Sequence, residues 1–219
     1  DGMGGHAGGD VASRLAIEAF QDAIGSIESD PSDTTRQDIH TEDFLRRMVT
    51  AANDRILEVA RRSPELRNMG TTLVVAGIVD AGDGPLVRVI HVGDSRAYLY
   101  RRGALRQLTH DHSVVEDFVR RGLMSQEEAS VHPKRHALTR AVGIDQTVEP
   151  DYISEPLQSG DLLLLCTDGL TKMIEDRELE DWVGRLGARP DTLCRSLVDE
   201  SNRRGGHDNV TLVICSEAS

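Results

Sequence analysis

The segment Asp161-Leu162-Leu163-Leu164-Leu165-Cys166 constrains the fold more than any other. Successive side chains on a strand point to opposite faces, so a strand with leucine at every position is apolar on both and must be covered on both. Val210 to Cys215 is a second run of this kind. Thr71–Val79, Leu86–Val92, Arg96–Tyr100 and Leu105–Leu108 add four β-rich runs, separated by turn-forming residues at 80–85, Gly93-Asp94-Ser95 and Arg102-Gly103. Short strands joined by tight turns predict an antiparallel meander, with Gly93-Asp94-Ser95 linking neighbouring strands.

Other segments carry helical periodicity. Asp10 is placed to cap a helix bearing Val11, Leu15, Ala19 and Phe20, and residues 27–40 read as a polar loop. Thr41 opens a longer helix whose stripe is Phe44, Leu45, Met48, Val49, Ala52, Ile56 and Val59, with Arg61 and Arg62 at its negative end. Helices are also expected over 113–130, 176–187 and 190–203, and an irregular, basic stretch over 131–145. Helices, then strands, then helices and a last strand form an α+β pattern. Two antiparallel sheets stacked as a sandwich, with helices outside, give the leucine strand its two covers.

The 219 residues contain no linker-like stretch, so one domain spanning 1–219 is expected. Aromatic residues make up only 3%, so the core must be built from aliphatic side chains. A net charge of -12 repels a phosphate backbone and argues against a nucleic-acid partner. The three cysteines are an odd, unpaired set, read as reduced thiols in a reducing compartment. No run approaches the roughly 18 apolar residues of a membrane span, and no signal peptide is visible. A cytoplasmic monomer is expected.

Three aspartates sit beside glycine or asparagine at strand–turn junctions: Asp1 before Gly2, Asp168 before Gly169, and Asp208 between His207 and Asn209. Short carboxylates held on a rigid sheet suit hard cations such as Mg²⁺ and Mn²⁺, which take oxygen ligands. Alone, each Asp-Gly is a common turn dipeptide. In order along the chain, however, stand Asp1-Gly2-Met3-Gly4-Gly5-His6, Gly70-Thr71-Thr72-Leu73, Val92-Gly93-Asp94-Ser95-Arg96, Leu108-Thr109-His110-Asp111-His112-Ser113, Leu138-Thr139-Arg140-Ala141-Val142-Gly143, Cys166-Thr167-Asp168-Gly169-Leu170 and Gly206-His207-Asp208-Asn209-Val210-Thr211. This series resembles the bacterial branch of the PPM family, the protein phosphatases of type 2C.

The resemblance implies a β-sandwich flanked by helix pairs. It implies hydrolysis of phosphoserine and phosphothreonine by water activated between two Mn²⁺ or Mg²⁺ ions. Asp1 then resembles the carboxylate bridging the metals, Gly2 a main-chain carbonyl ligand, and Asp168 and Asp208 ligands of the first metal. Asp111 resembles the residue that holds a third metal together with Asp168. Asn209 is expected to support the Asp208 loop, and Asp94 the turn beneath the site. A flap over the site is assigned to residues 112–137, with His132, Arg135 and His136 as candidate contacts to a phosphopeptide. The partners implied are phosphorylated proteins, Ser/Thr kinases and their substrates.

Some features depart from the family pattern. The usual upstream strand, with an arginine that grips the substrate phosphate and an acidic neighbour, is not in this sequence, and an upstream segment is therefore expected to be missing. Met3 stands where eukaryotic relatives often carry a histidine resembling a general acid, so the resemblance leaves protonation of the leaving group to water or another group; His6 is read first as a neutral structural histidine and only second as an acid. His110 and His112 have no cysteine at zinc-site spacing. Gly2, Gly4 and Gly5 do not match the dinucleotide-binding GxGxxG pattern. The competing reading is a binding domain that keeps the fold without turnover. A metal-dependent nuclease is disfavoured by the acidic surface.

Overall fold

The computed structural model describes residues 1–29, 41–80, 82 and 84–216. Its elements in chain order are β1 (Gly2–Met3), α1 (Gly5–Ser29), α2 (Glu42–Arg62), a short 3-10 turn at Pro64–Leu66, β2 (Gly70–Thr71), β3 (Leu73–Asp80), β4 (Pro85–Val92), β5 (Arg96–Arg101) and β6 (Ala104–Gln107). There follow α3 (Val114–Arg120), α4 (Gln126–Val131), β7 (Asp151–Pro156), β8 (Leu162–Cys166), α5 (Asp168–Thr171), α6 (Asp176–Leu186), α7 (Pro190–Arg203) and β9 (Leu212–Ser216). Among the described residues no helix is long and apolar enough to cross a membrane.

The strands pair antiparallel in two sheets, ordered β3-β4-β7 and β6-β5-β8-β9, beside a short ribbon of β1 and β2. The double-sided leucine strand receives both covers. Leu162, Leu164 and Cys166 pack with Leu179, Val183, Leu193 and Leu197 of α6 and α7. Leu163 turns the other way, to Val87 and Val89 of β4 and to Ala97 and Leu99 of β5 in the layer between the sheets. On the opposite side Ile90 and Val92 of β4 meet Ala12, Ala16, Val49, Ala52 and Ile56 of α1 and α2. Three apolar layers thus alternate through the α–β–β–α sandwich, each strand splitting its odd and even residues between two of them.

Helix α2 begins as its sequence predicts, with the Thr41 side chain accepting the Phe44 N–H. Its buried face also carries Asn53, a polar residue that closes onto the loop at Gly143–Asp145.

Several expectations are corrected. The strands do not form one meander: β4 and β5 belong to different sheets, so Gly93-Asp94-Ser95 crosses the sandwich instead of closing a hairpin. Gly93 adopts φ of 104°, and a Cβ there would lie 2.6 Å from Thr72 Cγ2. The Ser95 hydroxyl lies 2.6 Å from that of Thr72, tying the crossing to the start of β3.

The run from Thr71 is broken at Thr72 into β2 and β3. Helix α1 starts at Gly5, five residues ahead of the expected cap at Asp10, because the glycine-rich loop itself winds into the first turn. It also continues through Ser29, into the expected loop, the rest of which (30–40) lies outside the described residues. The helix expected over 113–130 is two short helices parted at Gly122, whose φ is 67°. Strand β7, an edge strand pairing with β4, was not anticipated.

Candidate metal centre

Four chain segments meet at one rim of the sandwich. The β1–β2 pairing sets Asp1 against the β2–β3 junction, where the Asp1 carbonyl accepts the Thr72 N–H and the Thr71 hydroxyl, each at 2.8 Å. The sheet crossing brings Asp94. Strand β8 ends at Cys166, and after Thr167 the one-turn helix α5 opens with Asp168. The approach to β9 supplies Asp208. These groups line a cavity of about 440 Å³ together with Thr139, Arg140 and His136, and Leu138, Ala141 and Ile144 are among its apolar lining.

Asp1, Asp168 and Asp208 each bring a carboxylate oxygen to within 4.8 Å of the others. Glycine makes this approach possible at two places. A Cβ on Gly169 would lie 2.2 Å from the Asn209 carbonyl oxygen, and one on Gly2 would lie 1.9 Å from the Gly9 carbonyl oxygen. Asn209 holds the Asp208 loop through its main chain: its N–H donates to Asp208 Oδ1 at 2.9 Å and its carbonyl accepts the Thr167 hydroxyl at 3.4 Å.

Negative charge accumulates here. Asp168 Oδ1 is buried without a hydrogen-bond partner among the described residues. Burial, aided by the charges of Asp168 and Asp111, pushes the Asp94 carboxyl up to about 6. Burial acts in the same direction on Asp208, but hydrogen bonds from Lys172 and from the Asn209 N–H outweigh it and hold that carboxyl below its ordinary value. The Lys172 ammonium reaches both Asp168 Oδ2, at 2.5 Å, and Asp208 Oδ2, at 3.1 Å. An unpartnered buried carboxylate oxygen, a carboxyl raised by burial and by its acidic neighbours, and a cationic group already drawn onto two of the acids together describe a site that fits hard divalent cations.

The other expected residues divide. Gly2 lines the cavity, yet its carbonyl oxygen packs on α1, 2.5 Å from where a Cβ on Gly9 would stand. Asp111 does not line the cavity. Its two oxygens accept from Arg96 Nε and Nη2 at 2.8 and 2.7 Å, and it acts on Asp94 only through its charge. Of the flap candidates, His136 lines the cavity, whereas His132 and Arg135 do not. His132 closes α4, its Nδ1 accepting the Lys134 N–H. The two ends of segment 114–137 are tied together where the Val114 N–H donates to the Ala137 carbonyl. The His6 side chain lies outside the described residues.

Sequence reasoning missed three features. Lys172 was legible from its spacing of four residues after Asp168 on a helical turn. Asn53 donates to the Asp145 carbonyl and accepts the Gly143 N–H, anchoring a loop that lines the cavity. The third is a cluster of His91, His112 and Asp151, with the two rings 4.2 Å apart. The Gly93 N–H donates to His112 Nδ1, so the ring carries its proton on Nε2, beside Asp151 Oδ2 at 3.3 Å. Burial and the neighbouring His91 push the His112 imidazole down to about 4, and the ring serves as a neutral brace for the sheet crossing.

Fold and site together define an α–β–β–α sandwich that gathers carboxylates at one rim. The profile of the protein phosphatase 2C family matches residues 1–193, and the chain belongs to that family of metal-dependent phosphoprotein phosphatases. It is 39% identical over 217 residues to the serine/threonine phosphatase stp of Listeria welshimeri, covering 98% of this chain and 81% of that protein. Among solved structures it is similar to serine/threonine phosphatase Stp1 from Staphylococcus aureus, with a TM-score of 0.86, 32% identity, and coverage of 100% of this chain and 82% of the other. It also resembles the catalytic domain of the phosphatase PstP in complex with two manganese ions, with a TM-score of 0.77, 34% identity, and coverage of 98% and 84%.

Proposed function

We propose that this chain removes phosphate from phosphoserine and phosphothreonine in proteins, acting as one catalytic domain with Mn²⁺ or Mg²⁺ held by Asp1, Asp168 and Asp208. The observation that carries the proposal is the convergence of three carboxylates, from positions 1, 168 and 208, to within 4.8 Å. Divalent cations bound there supply Lewis acidity toward water and charge compensation for the phosphoryl group.

The chain's own part is to hold and orient. Asp168, two residues past the end of buried strand β8, presents an oxygen with no hydrogen-bond partner among the described residues. Gly169 and Gly2 let the flanking main chains close up. Arg140, fixed by Asp151 Oδ1 at 2.7 Å and by the Glu149 carbonyl, offers positive charge on the cavity wall without being free to collapse onto the acids. His136 lines the same cavity and the flap is tied together at its two ends, which suits the pair to meeting a peptide that brings its phosphate to the rim. Phosphorylated proteins, including those of a partner Ser/Thr kinase, are the proposed substrates.

The test is hydrolysis of p-nitrophenyl phosphate and of a phosphothreonine peptide with added Mn²⁺. Asp1→Ala and Asp168→Ala should abolish turnover while circular dichroism shows an intact fold. Full activity in either variant would sink the assignment.

A further inference from the structure

Lysine is nearly absent from this chain. Of its 25 basic residues only Lys134 and Lys172 are lysines. Lys172 follows the one-turn helix α5, and its N–H donates to the Asp168 carbonyl at 2.8 Å, so its main chain is fixed. The side chain is free to move only along its four-carbon stem. Its ammonium spans two carboxylates from separate parts of the chain, Asp168 Oδ2 at 2.5 Å and Asp208 Oδ2 at 3.1 Å. The side chain is 28% exposed, so this is no fully solvated surface pair.

An ammonium is a compact point charge with three donors, well shaped to sit between two oxygens where the planar fork of arginine would not. It stands among Asp1, Asp94, Asp168 and Asp208, and its charge opposes the rise of the Asp94 carboxyl. A divalent cation held by Asp168 and Asp208 needs the same oxygens. The two positive charges cannot share them at contact distance, because at a few ångströms their mutual repulsion is large in a partly desolvated site.

We infer that Lys172 is a built-in counter-cation that competes with divalent cations for the Asp168–Asp208 pair. This rests on the reading of these acids as the metal centre. The ammonium compensates the acids whenever cations are scarce, and a cation must displace it to bind. The chain therefore holds its metals less tightly than the carboxylates alone would, and metal supply sets occupancy over a range that Lys172 fixes.

The experiment is calorimetric titration of Mn²⁺, without substrate, into the unaltered chain and into Lys172→Met, which keeps the stem and removes the charge. The variant should bind about tenfold or more tightly, as expected when a charge-assisted contact no longer has to be broken. Equal or weaker affinity in the variant overturns the inference. Absence of Mn²⁺ binding in both proteins overturns the metal centre itself, a separate result.

A second measurement needs no variant. Lysine acylation of the unaltered chain, mapped by mass spectrometry with and without Mn²⁺, uses exposed Lys134 as internal reference. Mn²⁺ should raise labelling of Lys172 relative to Lys134, and an unchanged or lower ratio overturns the inference.

Discussion

Asp94→Asn tests whether the site carries stored charge repulsion. Asp94 sits in the sheet crossing, half-buried on the cavity, and its carboxyl is pushed up from 3.8 to about 6, first by burial and then by the charges of Asp168 and Asp111. A carboxyl whose pKa is higher in the folded than in the unfolded protein binds its proton more tightly when folded, so its ionisation destabilises the native state. That penalty is absent below about pH 4, grows as pH rises from there to about 6, and is complete above it. A rise of about two units, at about 1.4 kcal/mol each, makes the full penalty on the order of 3 kcal/mol. Asparagine keeps the shape and removes the charge. Urea unfolding followed by circular dichroism, in EDTA at pH 7.5, should show the variant more stable by roughly 2–3 kcal/mol, with the two proteins converging near pH 4. Saturating Mn²⁺ should shrink the advantage, because a bound cation relieves the same repulsion. A variant equal to or less stable than the parent in EDTA at pH 7.5 would refute the electrostatic reasoning.

Two further substitutions probe how the site is held. Gly169→Ala places a methyl 2.2 Å from the Asn209 carbonyl oxygen and must push the Asp208 loop outward; calorimetry should show Mn²⁺ affinity at least about tenfold weaker with the fold retained by circular dichroism. Asn53→Ala leaves the Gly143 N–H and the Asp145 carbonyl without their partners beneath the cavity wall, and urea unfolding should show a loss of about 2 kcal/mol.

The sequence made the layers legible because burial writes itself as periodicity. Leucine at every position from 162 to 165 demanded two covers, and the structure divides them between α6–α7 and β4–β5. Thr41 and the stripe it opens marked α2, since a cap and an apolar face are both local features. Strand β7 was hidden for the converse reason. Asp151-Tyr152-Ile153-Ser154-Glu155-Pro156 is an edge strand with little apolar content, and its pairing with β4 is a long-range fact. The acids of the site were visible as Asp-Gly and Asp-Asn junctions, but not what restrains them. Asp111 accepts hydrogen bonds from Arg96, whose reach across from β5 no local pattern reveals.

The least legible element, the crossing at Gly93-Asp94-Ser95, is also the one that concentrates charge at the rim. Read as a hairpin, it would leave Asp94 at a sheet edge, in water. As a crossing between layers, braced by His112 behind Gly93 and by Thr72 against Ser95, it sets a half-buried carboxyl beside Asp168. The sandwich thus delivers acids from four separate segments to one place, Asp168 from just beyond the buried strand β8 and Asp208 from the exposed loop that leads into β9. Apolar cores on both sides of the sheets supply the stability that a cluster of like charges withdraws. Folding and cation binding are linked in consequence: a cation that binds only the folded chain stabilises it in proportion to the logarithm of its concentration over its dissociation constant. The charge that destabilises the metal-free chain is the same charge that gives the cation its affinity, so a substitution that stabilises the metal-free rim by removing an acid must weaken its hold on metal, whereas Lys172→Met, which removes the cation that Asp168 and Asp208 share, destabilises the metal-free rim and tightens that hold.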